Sequence, residues 1–173
     1  MKKNNFKFAL VAVLSLAFLA ACKKGENDPF LSLKSRNARI TGTWKLKSAE
    51  ITNSNVYGGT TQSLSTSFDG TNMTETLDSG ESDTYSYSQT VEINKDGTYK
   101  MTLVEDGITS DYQGNWWWID SNKKKVRIAF DDDFGSFYID RLKNKEMVWK
   151  IDESSSSVDY SSKMSGTWTF EKE

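Results

Sequence analysis

The sequence predicts an all-β fold, an antiparallel up-and-down β-barrel of about eight to ten strands, and three observations carry that expectation. From Gly42 onward, apolar residues recur at every second position, the period of a strand with one buried face. The links between these runs are a few residues long and rich in Asn, Asp, Lys, Ser and Gly, so neighbouring strands must run antiparallel and no crossover helix fits between them. Composition agrees: 6 Trp, 7 Tyr and 9 Phe make the chain 13% aromatic, and such side chains suit a pleated, half-buried surface. A length of 173 residues is one domain's worth, with a single core.

Taken in order, the first strand starts at Gly42. Trp44 and Leu46 share one face while Ala49 and Ile51 have the opposite parity, so a bulge is expected between Lys47 and Ala49 that returns the apolar set to the core. Tyr57 to Asp83 is the faintest stretch. Gly58-Gly59 and many Ser and Thr surround only Leu64, Phe68, Met73 and Leu77, which reads as a pair of edge strands or as a long loop. Thr84 to Ile93 is firmer, with Tyr85, Tyr87, Val91 and Ile93 on one face and Ser86, Ser88 and Glu92 on the other. Asn94-Lys95-Asp96-Gly97 then turns the chain, and Tyr99, Met101 and Leu103 resume the alternation. After Ser121-Asn122-Lys123 come Val126, Ile128 and Phe130, then Phe137 and Ile139, then Met147, Trp149 and Ile151. These are three strands separated by Asp131-Asp132-Asp133 with Gly135 and by Lys143-Asn144-Lys145. Beyond the polar Ser154 to Ser157, Met164, Trp168 and Phe170 form the last strand, and no helix is expected among these elements. An open sheet of this many strands exposes two hydrogen-bonding edges; pairing the first strand with the last removes both.

Residues 1 to 21 read as a cleaved signal segment. Lys2, Lys3 and Lys7 make a basic start, Phe8 to Ala21 a fourteen-residue uncharged apolar run, and Leu19-Ala20-Ala21 leads into Cys22, the single cysteine. At about 1.5 Å per residue the run reaches roughly 21 Å, short of a hydrocarbon core of roughly 30 Å, which argues against a spanning helix. A lone cysteine in an exported chain is a free thiol or a modified one. Leu19-Ala20-Ala21-Cys22 resembles a bacterial lipobox, which implies that Cys22 is the lipidation site and first residue of a membrane-anchored lipoprotein. Two or more acyl chains hold stably where one does so marginally. Lys23 is not the aspartate associated with inner-membrane retention, so the resemblance implies the outer membrane, on its periplasmic or external face. Residues 22–39 read as the lipidated N-terminus and a tether, in which Phe30, Leu31 and Leu33 offer a short helical turn over an end of the body.

Gly42-Thr43-Trp44-Lys45-Leu46 resembles the Gly-x-Trp opening of the first strand in lipocalin-type barrels. The triplet recurs as Gly114-Asn115-Trp116 and Gly166-Thr167-Trp168, and with Asp96-Gly97-Thr98-Tyr99 the arrangement resembles the lipocalin-like domain of exported lipoproteins from the Bacteroidetes. The resemblance covers residues 40–173 and implies a lipocalin/calycin-like barrel. A glycine permits close backbone approach, and the Trp two residues on shares its face and points inward. In one respect the sequence departs from the lipocalin pattern. No Arg follows Arg141, so the last strand offers Lys172 where an arginine would pack over the first tryptophan.

With no histidine and the one cysteine assigned to lipid, Ser/His and Cys/His catalysis and the usual zinc sites are excluded, and an enzyme is not expected. Asp131-Asp132-Asp133 lacks the alternating spacing of a calcium loop and no glycine-rich phosphate loop occurs, so neither a metal nor a cofactor is expected. The net charge of −2 becomes more acidic once residues 1 to 21, with three Lys and no acid, are set aside, which argues against nucleic acid as a partner. Candidate ligand-binding residues are therefore strand aromatics: Trp44, Tyr85, Tyr87, Trp116, Trp118 and Trp149. At strand period such residues either pack the core or wall a cavity. In Trp116-Trp117-Trp118, whichever side is inside, at least one indole is outside. Two functions fit. One is a lipid-anchored envelope protein holding a small apolar or amphipathic molecule in its barrel; the other is a surface glycan-binding or adhesion module, or a structural module that binds a protein partner.

Overall fold

The computed structural model describes residues 34–120, 126–131, 135–157 and 160–173. Cys22, the apolar run before it and the turn expected at Phe30 to Leu33 lie outside the described residues. A short helix α1 (Arg36–Ile40) precedes ten strands: β1 (Gly42–Tyr57), β2 (Thr60–Phe68), β3 (Asn72–Leu77), β4 (Ser82–Ile93), β5 (Thr98–Glu105), β6 (Ile108–Asp120), β7 (Val126–Phe130), β8 (Ser136–Leu142), β9 (Glu146–Ser156) and β10 (Tyr160–Lys172). Each strand pairs antiparallel with its chain neighbour, and β1 pairs with β10 from Trp44↔Lys172 to Tyr57↔Tyr160, so the sheet closes on itself as a ring. The faint stretch after Tyr57 is thus a hairpin. Gly58 and Gly59, at φ 55° and 81°, supply the two left-handed positions that a two-residue hairpin turn needs.

β1 changes partner along its length. Gly42 to Lys45 pair with Thr90 to Ile93 of β4, whereas Ala49 to Tyr57 pair with Thr60 to Phe68 of β2. The register shift between Leu46 and Ser48 falls where the parity change predicts a bulge, at the point where β1 leaves β4. β2 and β3 therefore enter the ring only above Lys45. The end at which β1 begins is bounded by eight strands; towards the opposite end β2 and β3 join the wall, while β7 and β8 reach only to the level of Trp116 and, among the described residues, leave the rest of β6 and β9 without partners on that side.

The end at which β1 begins is closed. Its inward side chains include Trp44, Ile93, Tyr99, Ile128, Trp149 and Phe170, none more than 2% exposed. The Trp149 ring lies 4.5 Å from that of Phe170 and 5.1 Å from that of Phe137, nearly parallel to the latter at 18°. Helix α1 lies across this end. Five residues are too few to be helical alone. The Ser35 Oγ caps the turn by accepting from the Ala38 N–H at 3.2 Å, Arg39 Nη1 donates to the Leu142 carbonyl at 2.5 Å, and Trp44 Nε1 donates to the Ile40 carbonyl at 2.6 Å. Arg39 and Ile40 are buried by this packing, so the ordered body begins within the stretch that reads as tether.

Lys172 fills the place that lacks an arginine. Its ammonium stands 4.9 Å from the centre of the Trp44 ring and donates to the carbonyls of Arg39, at 3.0 Å, and Thr41. One cation thus faces an indole and satisfies carbonyls at the end of α1. Burial, with a contribution from nearby Lys34, holds its pKa below the ordinary lysine value. The Gly-x-Trp triplets share a physical role. A Cβ on Gly42 would stand 2.5 Å from Lys172 Cε, and one on Gly166 would stand 2.6 Å from the Glu50 carbonyl oxygen of the paired strand. In each triplet the Trp two residues on packs into the core: Trp44 and Trp116 are buried and Trp168 is half-buried against it.

Candidate functional site

Above the aromatic core the inward-facing series turns polar. Asn53 and Asn55 of β1, Glu75 of β3, Tyr85, Tyr87 and Gln89 of β4 and Glu105 of β5 continue the alternation set by the buried residues below them. Tyr85 OH donates to Glu75 Oε1 at 3.1 Å and Tyr87 OH to Gln89 Oε1 at 3.3 Å; Gln89 Nε2 in turn meets Met101 Sδ at 3.3 Å, joining this belt to the core. Asn53 Oδ1 is inaccessible to solvent and has no hydrogen-bond partner among the described residues. Burial, reinforced by the negative charges of Glu75 and Glu105, pushes the Tyr85 phenol up to about 12. Burial and Glu105 do the same to Tyr87, also up to about 12. Both phenols therefore remain neutral donors across the ordinary pH range.

A collar of apolar groups stands above the belt. Among the described residues seven large hydrophobic side chains are exposed, and five of them lie at this end: Tyr57 at 75%, Ile108 at 72%, Leu77 at 48%, Tyr160 at 41% and Tyr112 at 40%. All five continue inward-facing series. Tyr57 and Tyr160 are cross-strand partners, Leu77 follows Met73 and Glu75 in β3, and Ile108 and Tyr112 oppose Glu105 and Met101. Tyr57, Leu77, Ile108 and Tyr160 stand at strand ends beside the turns, so this end of the ring is a mouth with an apolar collar above a polar belt.

Of the six strand aromatics singled out from the sequence, only Tyr85 and Tyr87 lie in this mouth. Trp44 and Trp149 belong to the core of the closed end. Trp116 donates its Nε1–H to the Asn94 carbonyl at 2.9 Å and meets Trp118 edge to face at 5.6 Å. Trp118 lies beneath α1, with Nε1 donating to Asn37 Oδ1 at 2.7 Å and the Arg36 guanidinium 4.2 Å from its ring centre. The collar residues and the two glutamates were not marked by the sequence pattern. The available signal was the occurrence of Tyr57, Leu77, Ile108 and Tyr160 at the tips of separate hairpins. Trp117, on the other face of β6, is 47% exposed, as the alternation requires.

Outside the ring, an open groove of about 540 Å³ runs along Thr41, Gly42 and Thr43 and the turn from Glu92 to Asp96. It lies at the closed end and does not communicate with the mouth through the packed core. Among the described residues no group of three or more His, Cys, Asp or Glu side chains is placed to hold a metal ion. The chain matches no protein-family model and no curated protein sequence.

Proposed function

We propose that this is a lipid-anchored envelope protein of lipocalin-like build that binds a small amphipathic molecule in its open mouth. The observation that carries the reading is the collar: apolar side chains that face inward yet stand in water gain from any apolar surface that covers them. The floor beneath would meet the polar part of the ligand with neutral phenol donors and with the Glu75 and Glu105 carboxylates. Acyl chains on Cys22 would hold the protein to the outer membrane, on the resemblance of Leu19-Ala20-Ala21-Cys22 to a lipobox. A binding role suits a chain that has no histidine and whose one cysteine would be acylated.

The test is binding of the neutral apolar dye N-phenylnaphthylamine, followed by its fluorescence, to the protein and to the collar variants Leu77→Asp and Ile108→Asp. Dye emission should rise on binding and each variant should weaken it by about tenfold, since about 1 kcal/mol or more of apolar contact is exchanged for a charge. Absence of a rise, or a rise indifferent to both variants, overturns the mouth as the site. A second reading, glycan binding, draws on the exposed Tyr57, Tyr112 and Tyr160, whose faces could stack on sugar rings. Quenching of tyrosine emission by soluble glycans, with no dye binding, would favour it.

A further inference from the structure

We infer that the closed end of the ring is the face that rests on an anionic bilayer surface, with the mouth turned towards the water; the identity of the membrane, though not the docking face, rests on the anchoring proposed above. The topology gathers α1, the start of β1, the end of β10 and the β4–β5 and β8–β9 turns at one end. The Lys172 N–H donates to the Lys145 carbonyl at 3.1 Å, Arg39 reaches Leu142, and Gly42 pairs with Ile93. This end is studded with bases: Lys34, Arg36, Lys95, Lys143 and Lys145. The acids beside them are partly engaged: Asp96 accepts from the Thr98 N–H and hydroxyl, Glu146 is bridged by Arg141 and Lys143, and Glu171 is bridged by Lys47, while Glu92 and Glu173 stand exposed.

The opposite end has the reverse character. Its links carry Asp78, Glu81 and Asp106, and no Lys or Arg among the described residues, whereas Asp131 lies lower, its carboxylate held by the Asn115 N–H and side-chain amide. An anionic surface would attract the first end and repel the second, over about 8 Å in physiological salt. The two exposed large hydrophobics outside the mouth, Trp117 and Ile119, lie on the outer wall at the closed end, where the intervening Trp118 meets α1. An exposed indole beside lysines suits the layer between head groups and acyl chains. The tether does not by itself choose the face. Lys34 is twelve residues from Cys22, a span of up to roughly 40 Å when extended, so several orientations are within reach and charge selects among them.

The test uses the full lipidated chain on vesicles of phosphatidylcholine alone and of phosphatidylcholine with phosphatidylglycerol. Trp117 emission, isolated by difference from Trp117→Phe, should be quenched by a head-group spin-labelled lipid about twofold more strongly on the anionic vesicles. A dye on Tyr57→Cys should stay open to aqueous iodide on both. The triple variant Lys95→Glu, Lys143→Glu and Lys145→Glu, all at exposed turn positions, should abolish the extra quenching while the protein still sediments with vesicles and keeps its thermal midpoint. Lipid quenching of the Tyr57→Cys dye, or Trp117 quenching indifferent to lipid charge or to the triple variant, overturns the inference. Failure to sediment with neutral vesicles identifies a missing anchor instead. In that case salt-sensitive partition onto anionic vesicles, lowered about a hundredfold by the triple variant, upholds the docking face, and its absence overturns it.

Discussion

Trp44, near the start of β1, is fully buried, whereas Tyr57, at the end of the same strand and on the same face, is 75% exposed. The two residues obey one alternation and differ in what surrounds them. Around Trp44 the ring is bounded by eight strands, filled by bulky side chains and covered by α1; around Tyr57 the wall has gained β2 and β3, has lost the short β7 and β8, and is lined by Asn, Gln and Tyr. Alternation assigns a face. Whether that face meets a packed interior depends on side-chain volume against the width of the ring, and both change along β1.

The largest expected effect separates these two residues directly. Trp44→Ala should cost about 3–5 kcal/mol in chemical denaturation, through the cavity it leaves and the loss of its bond to the Ile40 carbonyl; Tyr57→Ala should stay within about 0.5 kcal/mol. Equal costs would break the comparison. Lys172→Ala comes next, at about 1–3 kcal/mol, because carbonyls of Arg39 and Thr41 lose their donor, and amide hydrogen exchange in α1 should quicken. The smallest effect sharpens the account of the mouth. Tyr85 and Tyr87, raised from about 10 to about 12, keep their protons in the folded state over a window in which the unfolded chain loses them. Their contribution is complete below pH 10 and is lost as pH rises towards 12, so thermal stability should fall across that window and fall less steeply in Tyr85→Phe and Tyr87→Phe.

Much of the wall was legible because strand period and turn chemistry are local. The parity change at Lys47 to Ala49 located the bulge, Asn94 to Gly97 located a turn, and matching Gly-x-Trp triplets in the first and last strands accompany their pairing. Less could be read where the signal is non-local. β2 and β3 were ambiguous because their outward and inward residues are both largely Ser, Thr or acidic, so alternation has little contrast. α1 had no local signal, since five residues give no helical period and its stability comes from Arg39, Ile40 and Trp44 across the closed end. The candidate site was the hardest part. Trp44, Trp116 and Trp149 carry the largest rings, but the side chains that remain uncovered are those at hairpin tips, where burial is decided by which strands stand opposite.

The partner exchange of β1 also suggests how the aperture is set. The β2–β3 hairpin acts as a wedge driven between β1 and β4 from the top, and with strands about 4.8 Å apart it adds roughly 10 Å to the girth above the bulge. The seam between β1 and β4 below it is complete without it. Altering the wedge would therefore resize the vessel's lip while leaving its foot as it stands.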